Sequence, residues 1–215
     1  AGSGAVGGKY GSIDEWDTSK VTDMSFLFCV QQDWMDDDYY EDCVLTDDTF
    51  NEAIGAWDTS SVTDMSKLFM GAAAFDADIG DWDVSAVTDM EDTFREADVF
   101  NADIGDWDVS SVTSMESTFD TSTAFNADIG DWDVSKVTTM QLTFAYATTF
   151  NQPIGGWDVS KVTNMNSMFR DATTFDAEIG AWDVSSVTSL YRSFYNAAAF
   201  NQPIGDWDVS AVTNM

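Results

Sequence analysis

FNQPIGGWDVSKVTNMNSMF, residues 150–169, sets two hydrophobic rhythms side by side. In the first half, as in IGDWDVS at 104–110, 129–135 and 204–210, Trp and Val alternate with Asp and Ser, the period of a half-buried strand. In the second half, M-x-x-x-F-x-x-A places apolar residues at i, i+4 and i+7, one face of a short helix. The stretch recurs. Trp57, Trp82, Trp107, Trp132, Trp157, Trp182 and Trp207 are spaced 25 residues apart, and Trp16 lies 41 before Trp57, one period plus 16 inserted residues. A fixed period of this size signals an array of stacked structural units. Copies begin at Phe50, Phe75, Phe100, Phe125, Phe150, Phe175 and Phe200, with a degenerate copy around residues 10–28. The residue before each Met, or before Leu190 in its place (Asp23, Asp64, Asp89, Ser114, Thr139, Asn164, Ser189, Asn214), suits a helix N-cap. The Gly after Ile suits a tight turn or a close backbone approach. The expected fold is therefore an α/β repeat solenoid of the leucine-rich-repeat kind, with one short parallel strand and one short helix per 25-residue turn.

The string at 150–169 also resembles the tandem repeat of the BspA-like leucine-rich-repeat surface proteins, the bacterial surface protein 26-residue repeat. The resemblance runs over residues 10–215 apart from one insertion. It implies a right-handed coil exposed at a cell surface or secreted, and adhesion or ligand binding as its work. The spacing of 25, the Ala where the family often has Cys, and the acidic load depart from that pattern. The organisation expected is a tail or linker at 1–9, then a single domain over 10–215 of about eight 25-residue repeats, with an insertion at 29–49.

In one copy, Phe100, Ile104, Trp107, Val109, Val112, Met115 and Phe119 are expected to point inward and stack on their equivalents. No single turn can bury that set alone. Inward Trp107 and Val109 leave Asp106 and Asp108 outward. Asp17, Asp58, Asp83, Asp108, Asp133, Asp158, Asp183 and Asp208 then form one acidic column, with Asp81, Asp106, Asp131 and Asp206 beside it. Carboxylates about 5 Å apart repel by roughly 1 kcal/mol in water, and only Lys20, Lys136 and Lys161 are placed near this face. Three readings stand: a solvated face whose carboxylates accept from Ser and Thr, a cation site, or a dock for a basic protein or glycan. As a cation site it would take Ca²⁺, with Asp83, Asp106, Asp108, Asp131, Asp133 and Asp158 as candidate ligands. The Asn or Asp after each Phe is expected to bond backbone at the turn.

The composition narrows the function. With 39 acidic and 8 basic residues the net charge is −31, which repels nucleic acid and anionic membrane surfaces. No apolar run reaches the roughly 18 residues of a membrane span, and AGSGAVGGKY has no signal-peptide core. His is absent, and no nucleophile–base set or phosphate loop can be assembled, so an enzyme is not expected. The only two cysteines, Cys29 and Cys43, bracket the one stretch that is not repeated. They read as a disulfide staple and an oxidising compartment, with free thiols as the alternative. Within that stretch Trp34, Tyr39 and Tyr40 sit among acids, either as a cover over the first turns or as a binding loop.

The function expected is an extracellular or cell-surface domain that binds protein or glycan through the acidic face and the disulfide-closed loop. The alternative is a structural block of an extracellular filament or surface assembly of copies of itself, bridged by cations. The break in mid-repeat at Met215 reads as a fragment end and leans toward the second.

Overall fold

A computed structural model describes residues 11–31, 42–43, 45–46 and 48–215. The 25-residue copies stack in register, one turn of chain above the next. The turn is built differently from the expectation, however. Among the described residues the helical elements are two three-residue 3-10 turns, Ile13–Glu15 and Ile154–Gly156. Parallel pairing is confined to isolated bridges such as Asp89↔Ser114, Ser114↔Thr139 and Thr139↔Asn164. The leucine-rich-repeat-like helix/strand solenoid is thus corrected to a stack of linked tight turns.

The hydrogen bonds give the physical reason. A helix over Met90–Ala97 would send each N–H to a carbonyl four residues back. Here alternate N–H groups leave the turn: Met90, Asp92, Phe94 and Glu96 donate to Ser114, Glu116, Thr118 and Asp120 of the next copy at 2.8–3.2 Å. The N–H groups between them close β-turns, Thr93 to Met90, Arg95 to Asp92 and Ala97 to Phe94. Two residues per copy adopt positive φ to make this possible, for example Asp92 (54°) and Glu96 (60°), Ser117 (52°) and Thr121 (64°). A left-handed non-Gly residue costs on the order of 1–2 kcal/mol, and bonds to the neighbouring turn offset that cost.

The supposed N-caps have another task. Asp89 and Asn164 accept from the N–H two residues on, at Glu91 (2.9 Å) and Asn166 (3.0 Å), while their backbones form the bridges. These are Asx-turns rather than helix starts.

The inward set is buried as the alternation requires. Phe100, Ile104, Met115 and Phe119 are fully covered, and Trp107 is 4% exposed. Rings stack from copy to copy, at 5.5–5.7 Å in the Phe94–Phe119 column and 6.2–6.5 Å in the Trp column. The stack therefore opens toward the Trp side. There, side chains rather than backbone join the turns: each Trp from Trp57 to Trp207 donates Nε1–H to the preceding copy's Ile carbonyl at 2.8–3.3 Å.

The Asn/Asp column adds a second such seam. Asn101 Oδ1 accepts from Asn126 N–H at 2.7 Å, and Asn126 Oδ1 from Asn151 N–H at 2.9 Å. Close stacking explains the Gly after Ile, since a Cβ on Gly155 would stand 2.1 Å from the Glu178 carbonyl oxygen. No helix among the described residues is long and apolar enough to cross a membrane.

Candidate binding surfaces

Two outward faces of the turn differ in what their side chains do. The first is the acidic face. Every carboxylate from Asp17 to Asp208 in the main column accepts from the N–H of the Ser two residues on, at 3.0–3.2 Å. Several also take the same Ser hydroxyl at 2.6 Å, as Asp83 does from Ser85 and Asp183 from Ser185. The hydroxyl and N–H of Ser110 hold the Asp108 carboxyl below the usual carboxylate range, with Asp133 and Asp83 opposing weakly. Asp133 and Asp158 are lowered by Ser135 and Ser160 in the same way, with a smaller pull from nearby lysines. This column belongs to the fold.

The neighbouring column is different. Asp81, Asp106 and Asp131 are exposed and accept no hydrogen bond among the described residues. Asp81 and Asp106 line a groove of about 240 Å³ with Asp78 and Asp103, whose carboxylates accept from Gly80 and Gly105 N–H. The six candidate calcium ligands all lie on this face, yet no group of three or more acids able to hold a metal ion occurs among the described residues.

The second face carries the outward positions between Met and Ala, where the copies differ. Toward the N-terminal end Cys29 and Cys43 form a disulfide with Cα atoms 5.1 Å apart, packed on Met70 and Phe26. The parallel bridge Val30↔Leu45 ties the same two segments. The candidate binding loop, Trp34, Tyr39 and Tyr40, lies outside the described residues.

In mid-stack, the buried Asp120 carboxylate sits 3.4 Å from Arg95 Nε, and Arg95 also meets Asp92 and Glu96 at 3.5 Å. Burial pushes Asp120 up to about 6, against the pull of Arg95 and a hydrogen bond from Thr121, while Asp92 and Glu96 add to the rise. Beyond it Gln141 bridges Glu116 and Asn164 at 2.7 and 2.9 Å.

Further along, the face turns aromatic and basic. The Arg170 guanidinium lies 5.1 Å from the Tyr146 ring and 5.9 Å from Tyr195. Arg192 lies 4.9 Å from Tyr191 and 5.7 Å from Tyr195. Arg170 also pairs with Asp171 at 3.3 Å, whereas Arg192 is exposed and has no ion pair among the described residues. Reading the repeat consensus passes over this patch, because the consensus treats those positions as blanks. Its signal was there: Arg170 and Arg192 fill blanks on adjacent copies, in a chain with very few basic residues.

No curated protein and no solved structure matches the chain. The model of a repeat family described as "Mycoplasma protein of unknown function, DUF285" matches residues 5–41, 40–154 and 114–215, and the chain belongs to that family.

Proposed function

We propose that this chain is a non-catalytic binding module, secreted or displayed at a cell surface, that contacts protein or glycan. This is the role the BspA-like resemblance implies. One observation carries the reading: the fold engages the repeated side chains in internal bonds, while two outward sets among the described residues make no ion pair or side-chain hydrogen bond. These are the Asp81–Asp106–Asp131 column and Arg192 with Tyr195, beside Arg170, which pairs with Asp171. Tyr and Arg held on a rigid frame are the residue types most often found at the centre of binding surfaces. The Cys29–Cys43 disulfide supports an oxidising location. A building block of a surface assembly, the second reading, is favoured by the opposite charges of the two sets.

The test is binding of the purified chain to a panel of matrix proteins and glycans, beside the variants Y195A/R192A and D81N/D106N/D131N. Binding that one of these variants loses by about tenfold or more, with melting temperature unchanged, is expected. No binding by the wild type, equal binding by all three, or turnover of any glycan in the panel would overturn the proposal.

A further inference from the structure

We infer that the Tyr–Arg patch docks a second copy of this chain, which presents its Asp81–Asp106–Asp131 column to it. This deepens the binding-module reading and rests on it. Three features make the two surfaces complementary. The first is charge. Arg192 holds an exposed guanidinium with no carboxylate partner among the described residues, flanked by two phenol rings. The groove beside Asp81 and Asp106 is lined by carboxylates that no described cation reaches. A guanidinium is planar, weakly hydrated and able to bond two carboxylate oxygens at once, so it suits such a groove.

The second feature is step. The acidic residues recur every 25 residues over three consecutive copies, and the patch occupies Tyr146, Arg170 and Tyr195 on three consecutive copies. Both surfaces therefore advance by one stacked turn per group, and engaging one pair brings the next into range. The third is hydrophobic content. Tyr191 and Tyr195 are 40% and 57% exposed, so docking removes apolar ring surface from water around the ion pairs. Long-range repulsion between two chains of charge −31 opposes the contact. At about 0.15 M salt the screening length is about 8 Å, which damps that repulsion but leaves pairs in contact.

Sedimentation equilibrium of the whole chain at about 0.15 M NaCl tests the inference, using wild type, R192E and D81K/D106K/D131K. Reversible self-association of the wild type is expected, weaker by about tenfold or more in each variant alone. Mixing the two variants should restore it, because R192E keeps the acidic column that the Arg192 of D81K/D106K/D131K needs, and the two altered surfaces are themselves opposite in charge. Melting temperatures identical to wild type exclude misfolding as the cause. A wild type that stays monomeric, variants that associate as well as wild type, or a mixture that fails to recover would each overturn the inference. Loss in R192E of binding to a sulfated or carboxylated glycan, with no self-association, would reassign the patch to that ligand. If self-association is absent while the panel still binds, the second-copy inference alone has failed.

Discussion

The arc from Asn101 to Thr113 and the arc from Met115 to Ala124 belong to the same turn, yet they hold the stack together in different ways. On the first arc side chains make most of the bonds between turns: Trp107 reaches the Ile79 carbonyl, and Asn101 accepts from the backbone of Asn126. Each bond needs one residue type, so the sequence repeats. On the second arc the backbone makes most of them, through Met115, Ser117, Phe119 and Thr121 N–H to the next copy, and the side chains that join in, such as Thr118 to the Met90 carbonyl, point inward. Outward side chains are then released from cohesion, and they vary. A blank in this repeat marks a place where the main chain has taken over the stacking, and such places are where a surface can differ without loss of the fold.

The largest effect that tests the comparison is at the Trp seam. Trp107→Ala removes a buried ring stacked between Trp82 and Trp132 and orphans a carbonyl, and should lower stability by about 3–5 kcal/mol in chemical denaturation. Trp16→Ala should cost much less, since Trp16 is only half-buried and its Nε1 has no partner among the described residues. Equal losses would mean the seam is not what holds the turns.

Next in size is a neighbouring pair of glycines. Gly155→Ala drives a Cβ into the Glu178 carbonyl and should cost about 1–3 kcal/mol. Gly156→Ala meets nothing within 4 Å and should be near neutral by melting temperature.

The acidic column gives smaller effects that separate hydrogen bonding from charge. Asn keeps the acceptor that Ser110 N–H uses, whereas Ala removes it. D108A/D133A/D158A should be destabilised by about 1 kcal/mol per site, and D108N/D133N/D158N should not. For the wild-type column the pH sign is fixed by depressed folded-state values. Its stabilisation is present above the ordinary carboxylate range and fades as pH falls through the lowered values. Melting curves in millimolar Ca²⁺ and in NaCl of matched ionic strength should coincide, because the hydrogen bonds already engage these carboxylates. A Ca²⁺ excess that D108N/D133N/D158N removes would show specific sites instead.

The smallest expected effect, and one of opposite sign, belongs to the variable arc. Asp120 is raised to about 6 from 3.8, so between those values the folded chain keeps a proton that the unfolded chain has released. Its contribution to stability therefore grows as pH falls through 6 toward 4 and is lost as pH rises. Asp120→Asn should remove that part of the pH dependence, so the stability difference between wild type and variant should favour wild type more at pH 5 than at pH 7.

Much of this architecture was legible in the sequence. Inward Phe100, Ile104, Trp107 and Val109 follow from alternation and the fixed period, and they are buried. The turn itself was misread because Met115 and Phe119 are four apart, a spacing shared by a helical face and by overlapping β-turns whose left-handed residues recur every four. Left-handed backbone would have settled it, but the residues that adopt it mix Asp92, Asp171, Asn196 and Gly71 with Lys67, Leu142, Tyr146 and Arg192, so no turn-former recurs at those positions. The D-V-S spacing did encode the Asx-turn that answers for the acid, because a carboxylate two residues before an N–H is the standard partner for it. The Tyr–Arg patch was hidden for a different reason: a consensus retains what the copies share, and the patch consists of what they do not.

The seams between turns also shape how the chain folds. Bonds between turns join residues 23 to 28 apart at every interior junction, such as Asp92 to Glu116, Thr113 to Thr88 and Trp132 to Ile104, however many copies are stacked. The first junction alone is longer, with Thr63 to Thr22 spanning 41 residues and Trp57 to Ile13 spanning 44. Closing that larger loop costs extra chain entropy, less than the about 0.6 kcal/mol of a doubling. The disulfide, with a sequence separation of 14, shortens the path around it. Interior junctions thus have equal contact order and can nucleate anywhere, with folding spreading by one turn at a time. Before the disulfide forms, the junction beside the insertion is expected to close more slowly than the others by less than about threefold, and pairing Cys29 with Cys43 narrows that difference.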